Sequence, residues 1–134
     1  MAGQADETAS PDRPPPVRAA DLLVRCLEAE GVRWIFGIPG EETLDVSDAL
    51  DSSSIEFVPV RHEQAAAFMA DVQGRLTGRA GVCLGTLGPG ATNLVTGIAD
   101  AFLDRAPLVA LDVYKRQDEG QAVAAVAPVA AEQD

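Results

Sequence analysis

Aromatic side chains are scarce, at 4% of 134 residues, so any core this chain builds is aliphatic and rich in alanine. Cysteine is nearly absent. Cys26 and Cys83 each stand alone in an apolar-patterned segment, which excludes a disulfide framework and points to a reducing, cytoplasmic setting. Histidine occurs once, as His62. With no cysteine cluster beside it, a structural zinc site is excluded, and no metal ligands are expected in the chain. Positive charge is in deficit: 10 Lys and Arg face 21 Asp and Glu, for a net charge of −11. Such a chain repels phosphate backbones and anionic lipid, which excludes nucleic acid as a partner, and the simplest use of the excess is solubility. No apolar run approaches the ~20 residues that span a bilayer, and the tail GQAVAAVAPVAA is short and broken by Pro128. No membrane partner is therefore expected. The polar, acidic opening residues do not read as a secretory leader.

What remains is enough for one domain. With 47% apolar residues, a chain of this size buries roughly two-thirds of the surface its unfolded form exposes. Residues 1–16, MAGQADETASPDRPPP, cannot bury enough apolar surface to offset their ordering entropy and are expected to be disordered. From Val17 the pattern changes. VRAADLLVRCLEAEG has helical spacing and stops at Gly31; VRWIFG is a short strand; EETLDVSDAL opens with the acidic residues a helix start prefers. IEFVPV, AGVCLGT and PLVALDV are further strands, separated by the helices QAAAFMADVQGRL and TNLVTGIADAFLD. Strands recurring about every 25 residues with a helix between each pair predict right-handed crossovers: an α/β domain, a parallel sheet with helices on both faces. After Leu111 the pattern breaks, and only a weak helix over 118–127 can be read. The expected organisation is thus a partial domain over 17–112 followed by an atypical tail over 113–134, native sequence cut short or replaced. A sheet ending at the fourth strand would leave an unpaired edge.

Ligands of open α/β sheets bind outside the carboxyl ends of the strands. Three strand exits here are unusual: FGIPGEE, RHEQ and GTLGPGATN. The last lacks the Lys-Ser or Lys-Thr of an ATP-cradling loop and the third glycine of a dinucleotide fingerprint. Its Pro89 also removes a backbone donor. It remains either a plain strand-to-helix turn with Asn93 near the helix start, or a bend that lets backbone approach a flat ligand. GIPG at 37–40 carries the same two readings. Glu63 is either a helix-start carboxylate favoured by the macrodipole or a working acid, and a lone His62 is more often a packing or hydrogen-bonding residue than an acid–base group.

Together, FGIPGEETLDVSDAL, the opening helix ADLLVRCLEAEGV and the block RHEQAAAFMADVQGRLTGRAGVCLGTLGPGATNLVTGIADAFLDRAPLVAL resemble the pyrimidine-binding domain of thiamin-diphosphate enzymes, most closely the large subunit of acetolactate synthase. The pairing of RHEQAAAFMA with LGPGATNLVTGIADA is the specific part. The resemblance covers residues 17–111 and implies the thiamin-diphosphate-binding fold, incomplete at its end. It implies that Glu63 is catalytic, hydrogen-bonding a ring nitrogen of the aminopyrimidine and stabilising the imino tautomer that deprotonates the thiazolium carbon. A 2-oxo acid such as pyruvate then loses carbon dioxide and is joined to a second 2-oxo acid, giving an acetohydroxy acid. A glutamine there would accept a hydrogen bond but could not exchange the proton. The resemblance further implies that the turns holding Ile38, Pro39, Thr86, Gly88, Pro89 and Gly90 line the pyrimidine pocket, and that Asn93 fixes the local loop and the interface.

The departures limit the reading. The family's Gly-Asp-Gly motif, which binds diphosphate through a magnesium ion in a second domain, is absent. Where relatives continue with a Thr-Gly-Gln-like segment, this chain has Asp112, Val113, Tyr114 and Lys115, and Gln73 stands where many have an aromatic. The family's sites form between subunits, so the resemblance implies half a site, inactive alone, in a chain that pairs as a homodimer or homotetramer. The same domain occurs in benzoylformate decarboxylase, pyruvate oxidase and glyoxylate carboligase, and a non-catalytic pairing module is the reading outside enzymes.

Overall fold

The computed structural model describes residues 17–115 and 122–129, the latter as backbone; the expected disorder of 1–16 lies outside the described residues. Helix α1 (Ala19–Ala29) turns Val24 and Leu27 inward and ends before Gly31, whose φ of 77° an L side chain resists. Arg18, just before it, reaches Asp21 at 2.8 Å and Asp48 at 2.7 Å, the second contact tying α1 to α2. Strand β1 (Trp34–Gly37) leads through a single 3₁₀ turn, Glu41–Thr43, into α2 (Leu44–Asp51). Strand β2 (Glu56–Pro59), helix α3 (Glu63–Thr77), strand β3 (Gly81–Leu84), helix α4 (Pro89–Leu103) and strand β4 (Leu108–Lys115) follow.

The strands order β2-β1-β3-β4, all parallel, as the alternation of strand and helix predicts. The side-chain period of two sorts each strand onto two faces. Ile35, Val82, Leu84 and Leu111 meet α1 and α2 through Val24, Leu27, Val46 and Leu50. Phe36, Cys83 and Ala110 meet α3 and α4 through Ala66, Ala67, Ala70 and Leu94. Both faces are covered by aliphatic side chains, which is why the strands read as unbroken apolar runs.

Two expectations are corrected. A fifth strand, β5 (Ala122–Val129), pairs antiparallel with β4 from Leu108↔Val129 to Lys115↔Ala122, so the fourth strand is not an open edge; the edges are β2 and β5. The weak helix over 118–127 is not formed where the chain is described, because 122–127 is strand, and a run of alanine and valine satisfies an extended ladder as well as a helix. Helix α4 also begins earlier than its periodicity suggests. Proline at its first position has the right φ and no N–H to leave unpaired, so the Gly-Pro-Gly segment enters the helix instead of preceding it.

Candidate functional site

The exits of the parallel strands converge on one rim. The Val60 N–H donates to the Gly37 carbonyl at 3.0 Å, and the Gly85 N–H to the Leu111 carbonyl at 3.0 Å. An added Cβ at Gly37 would lie 2.3 Å from the Leu84 carbonyl oxygen, so only glycine lets the β1 and β3 exits touch. Beyond it, the Gly40 N–H donates to Thr43 Oγ1 at 2.9 Å, and that hydroxyl donates back to the Gly40 carbonyl at 3.0 Å. Thr43 is thereby buried without an unsatisfied group. The closed turn presses against the β3 exit: a Cβ on Gly40 would come 2.5 Å from Thr86 Oγ1. Thr86 Oγ1 donates to Glu42 Oε2 at 3.0 Å and latches the two bends together.

The β2 exit supplies the third part. His62 caps α3, its Nδ1 accepting from the Gln64 N–H at 3.2 Å, which is the hydrogen-bonding role expected of a lone histidine. Glu63 is the first residue of α3, where a carboxylate gains about 0.3–1 kcal/mol from the helix dipole. That accounts for its position but not for its burial at 7% exposure. Its Oε2 accepts from Asn93 Nδ2 at 2.9 Å, and no donor among the described residues reaches Oε1. In front of Oε1 stands Gly90, where an added Cβ would sit 3.4 Å from that oxygen and 3.1 Å from Thr86 Cγ2. The bare glycine therefore leaves a space walled by Glu63 and Thr86. Gly88, at φ 69° and ψ −119°, makes the turn that brings Gly90 there.

The structure thus brings together Glu63, Thr86, Gly90 and Asn93. Gly88 and Pro89 lie exposed at the tip of the same bend. Ile38 is half-buried, its N–H 3.4 Å from the Leu84 carbonyl. Pro39 is set apart: it is exposed and lines, with Ser47, Leu50 and Phe57, a cleft of about 410 Å³ beside α2. A larger, almost wholly apolar cleft of about 620 Å³ lies under α3 between Trp34, Phe36, Val58, Met69, Val72 and Leu76, and holds none of the rim residues. Below the rim, burial pushes the Cys83 thiol up to about 12, which makes it packing material and not a nucleophile. Within β4, burial raises the Asp112 carboxyl above its ordinary value, and its Oδ1 has no hydrogen-bond partner among the described residues.

Sequence reasoning missed Glu42 and Thr43. Thr43 had a signal, since its spacing from Gly40 is that of a capping box. Glu42 had none, because its partner is 44 residues away. Asn93, read as a possible helix-start residue, lies a full turn inside α4 and turns its amide to Glu63 instead.

The model of the family described as thiamine pyrophosphate enzyme, N-terminal TPP binding domain, matches residues 17–126. The catabolic acetolactate synthase of Raoultella terrigena is 54% identical over 105 residues, 78% of this chain and 19% of that protein. A probable acetolactate synthase large subunit of Methanocaldococcus jannaschii is 53% identical over 95 residues, 71% of this chain and 16% of its own length. The acetolactate synthase isozyme 2 large subunit of Escherichia coli is 48% identical over 95 residues, 71% of this chain and 17% of that protein. The chain therefore spans less than a fifth of the length of these relatives.

Proposed function

Because the chain belongs to the thiamine pyrophosphate enzymes, as part of their N-terminal cofactor-binding domain, we propose that it forms the pyrimidine side of an acetolactate-synthase-like active site, with Glu63 as the acid–base residue. The observation that carries this reading is the state of the Glu63 carboxylate. It is buried, held through Oε2 by Asn93, and open through Oε1 over a glycine.

The residues present fit an aminopyrimidine. A flat ring needs an approach free of side chains, and Gly90 provides it; its ring nitrogen needs an oxygen that accepts or donates a proton, and Oε1 provides that. Asn93 fixes the rotamer of Glu63 so that the free oxygen keeps one direction. Thr86, held by Glu42, forms the wall opposite, and Gly88 and Pro89 shape the bend, with Ile38 contributing at its margin. When bound, thiamin diphosphate supplies the carbon nucleophile and electron sink with which a 2-oxo acid is decarboxylated and joined to a second one. The diphosphate and its magnesium ion would be held by the rest of a longer protein, paired as a dimer or tetramer, and the segment alone would be inactive. Two free cysteines suit a reducing compartment such as the cytoplasm. The names carried by the relatives favour acetolactate as the product of the full-length protein.

The test is Glu63→Gln in the full-length protein. A glutamine keeps the shape and the contact to Asn93 but cannot exchange a proton, so turnover should fall by roughly 10²–10⁴ at saturating cofactor. Unchanged turnover would remove Glu63 from the role.

A further inference from the structure

Helices α3 and α4 leave the same rim, run side by side and are joined at matched heights. Asn93 meets Glu63 at the rim, 30 residues apart in sequence. One turn further, Gly97 lies flush on Ala67, also 30 apart, with an added Cβ at 2.5 Å from the alanine methyl. Near their far ends Arg75 bridges the pair. Its Nε donates to both oxygens of Asp71 at 2.9 Å on its own helix. Its terminal nitrogens reach across to Asp100 at 3.1 Å and to Asp104, which is 29 residues away. Asp71 is 2% exposed, so the guanidinium is anchored on a buried carboxylate and not on a freely moving surface group. A planar fork with five donors can serve three carboxylates at once, which an ammonium cannot do in this geometry.

The middle contact, with the Ala67 methyl seated over the gap at Gly97, sets how closely the two helices lie. The polar ties at the two ends add to this packing in setting the height of one helix on the other. A lengthening of about 1 Å along the bond carries a 2.9 Å amide–carboxylate contact outside the hydrogen-bonding range. We propose that Arg75, about 18 Å from Glu63 along α3, is a positioning residue for the reaction: through Asp100 and Asp104 it holds α3 at the height where Asn93 grips Glu63. This rests on the proposed role of Glu63.

The experiment leaves the pair of Arg75 with the buried Asp71 intact and cuts only the arms to α4. Asp100→Asn with Asp104→Asn, and Asp104→Asn alone, are made in the full-length protein, each in the parent and in a Glu63→Gln background. Turnover and KM for pyruvate are measured at saturating thiamin diphosphate and magnesium. In the parent background the double substitution should lower kcat between about 10- and 100-fold, as expected of a misplaced catalytic group, with KM for pyruvate little changed. In the Glu63→Gln background it should lower kcat by less than about twofold, because the group being positioned no longer acts. Asp104→Asn alone should lie between the parent and the double variant. An equal fold loss in both backgrounds identifies the arms as general structure and overturns the proposal, as does an unchanged kcat in the parent background. Loss of turnover on Glu63→Gln with no effect of the arms sinks the positioning role alone, whereas no effect of Glu63→Gln sinks the functional reading beneath it.

Discussion

Gly97→Ala tests the flush contact between α3 and α4. The added methyl would lie 2.5 Å from Ala67 Cβ, 2.9 Å from the Phe68 nitrogen and 3.0 Å from the Ala67 carbonyl carbon, against about 3.5–4.0 Å for an unstrained carbon contact. Two of those three neighbours are backbone atoms, which cannot rotate away, so the helices must part. In an exposed helix the same substitution would stabilise by about 1 kcal/mol. Overpacking costs about 1–3 kcal/mol, and backbone neighbours place this site at the upper end. The net loss is therefore about 1–2 kcal/mol. In urea unfolding of the 134-residue chain, followed by far-ultraviolet circular dichroism, the midpoint should drop by about 0.5–1 M with an unchanged slope. A midpoint that stays or rises would show that the helices do not touch at Gly97.

Other outcomes follow from the same geometry. A thiol reagent at pH 8 should label Cys26, which is exposed, and leave Cys83 unlabelled until the chain is denatured. Because the Cys83 thiol is raised from 9.0 to about 12, the stability it contributes is complete below pH 9 and is lost as pH climbs from there toward 12, which a pH series of melting temperatures on a Cys83→Ala control would isolate. Thr86→Val removes the hydroxyl that joins the two bends, and in the full-length protein should weaken thiamin diphosphate binding about 3- to 10-fold, the loss of one hydrogen bond, as read by calorimetry. The isolated 134-residue chain, holding one wall of the site, should show no submicromolar binding of thiamin diphosphate with magnesium.

The elements of this fold were legible because apolar periodicity is local. The helix over Glu63–Thr77 and the strand over Gly81–Leu84 can be read from a dozen residues each. The start of α4 was not, since Gly88-Pro89-Gly90 looks like a loop until proline is recognised as the first helical residue. The pairing of β4 with Ala122–Val129 was hidden for a different reason: a run of alanine and valine does not distinguish strand from helix. At the site, the glycines and the carboxylate stood out singly, whereas their connections did not. Asn93 to Glu63, Glu42 to Thr86 and Arg75 to Asp104 join residues 29 to 44 positions apart, and no local pattern encodes such a pairing.

Trp34 is the single indole of the chain. Its N–H donates to Glu56 Oε2 at 3.3 Å, the Arg33 guanidinium lies 4.6 Å from the ring centre, and one side of the ring borders the apolar cleft under α3. Indole emission moves to shorter wavelength as water leaves its surroundings. The molecule therefore carries an intrinsic optical gauge at that place: closing the cleft shifts its fluorescence to the blue with no added label, and leaving it open keeps the spectrum close to that of a hydrated ring.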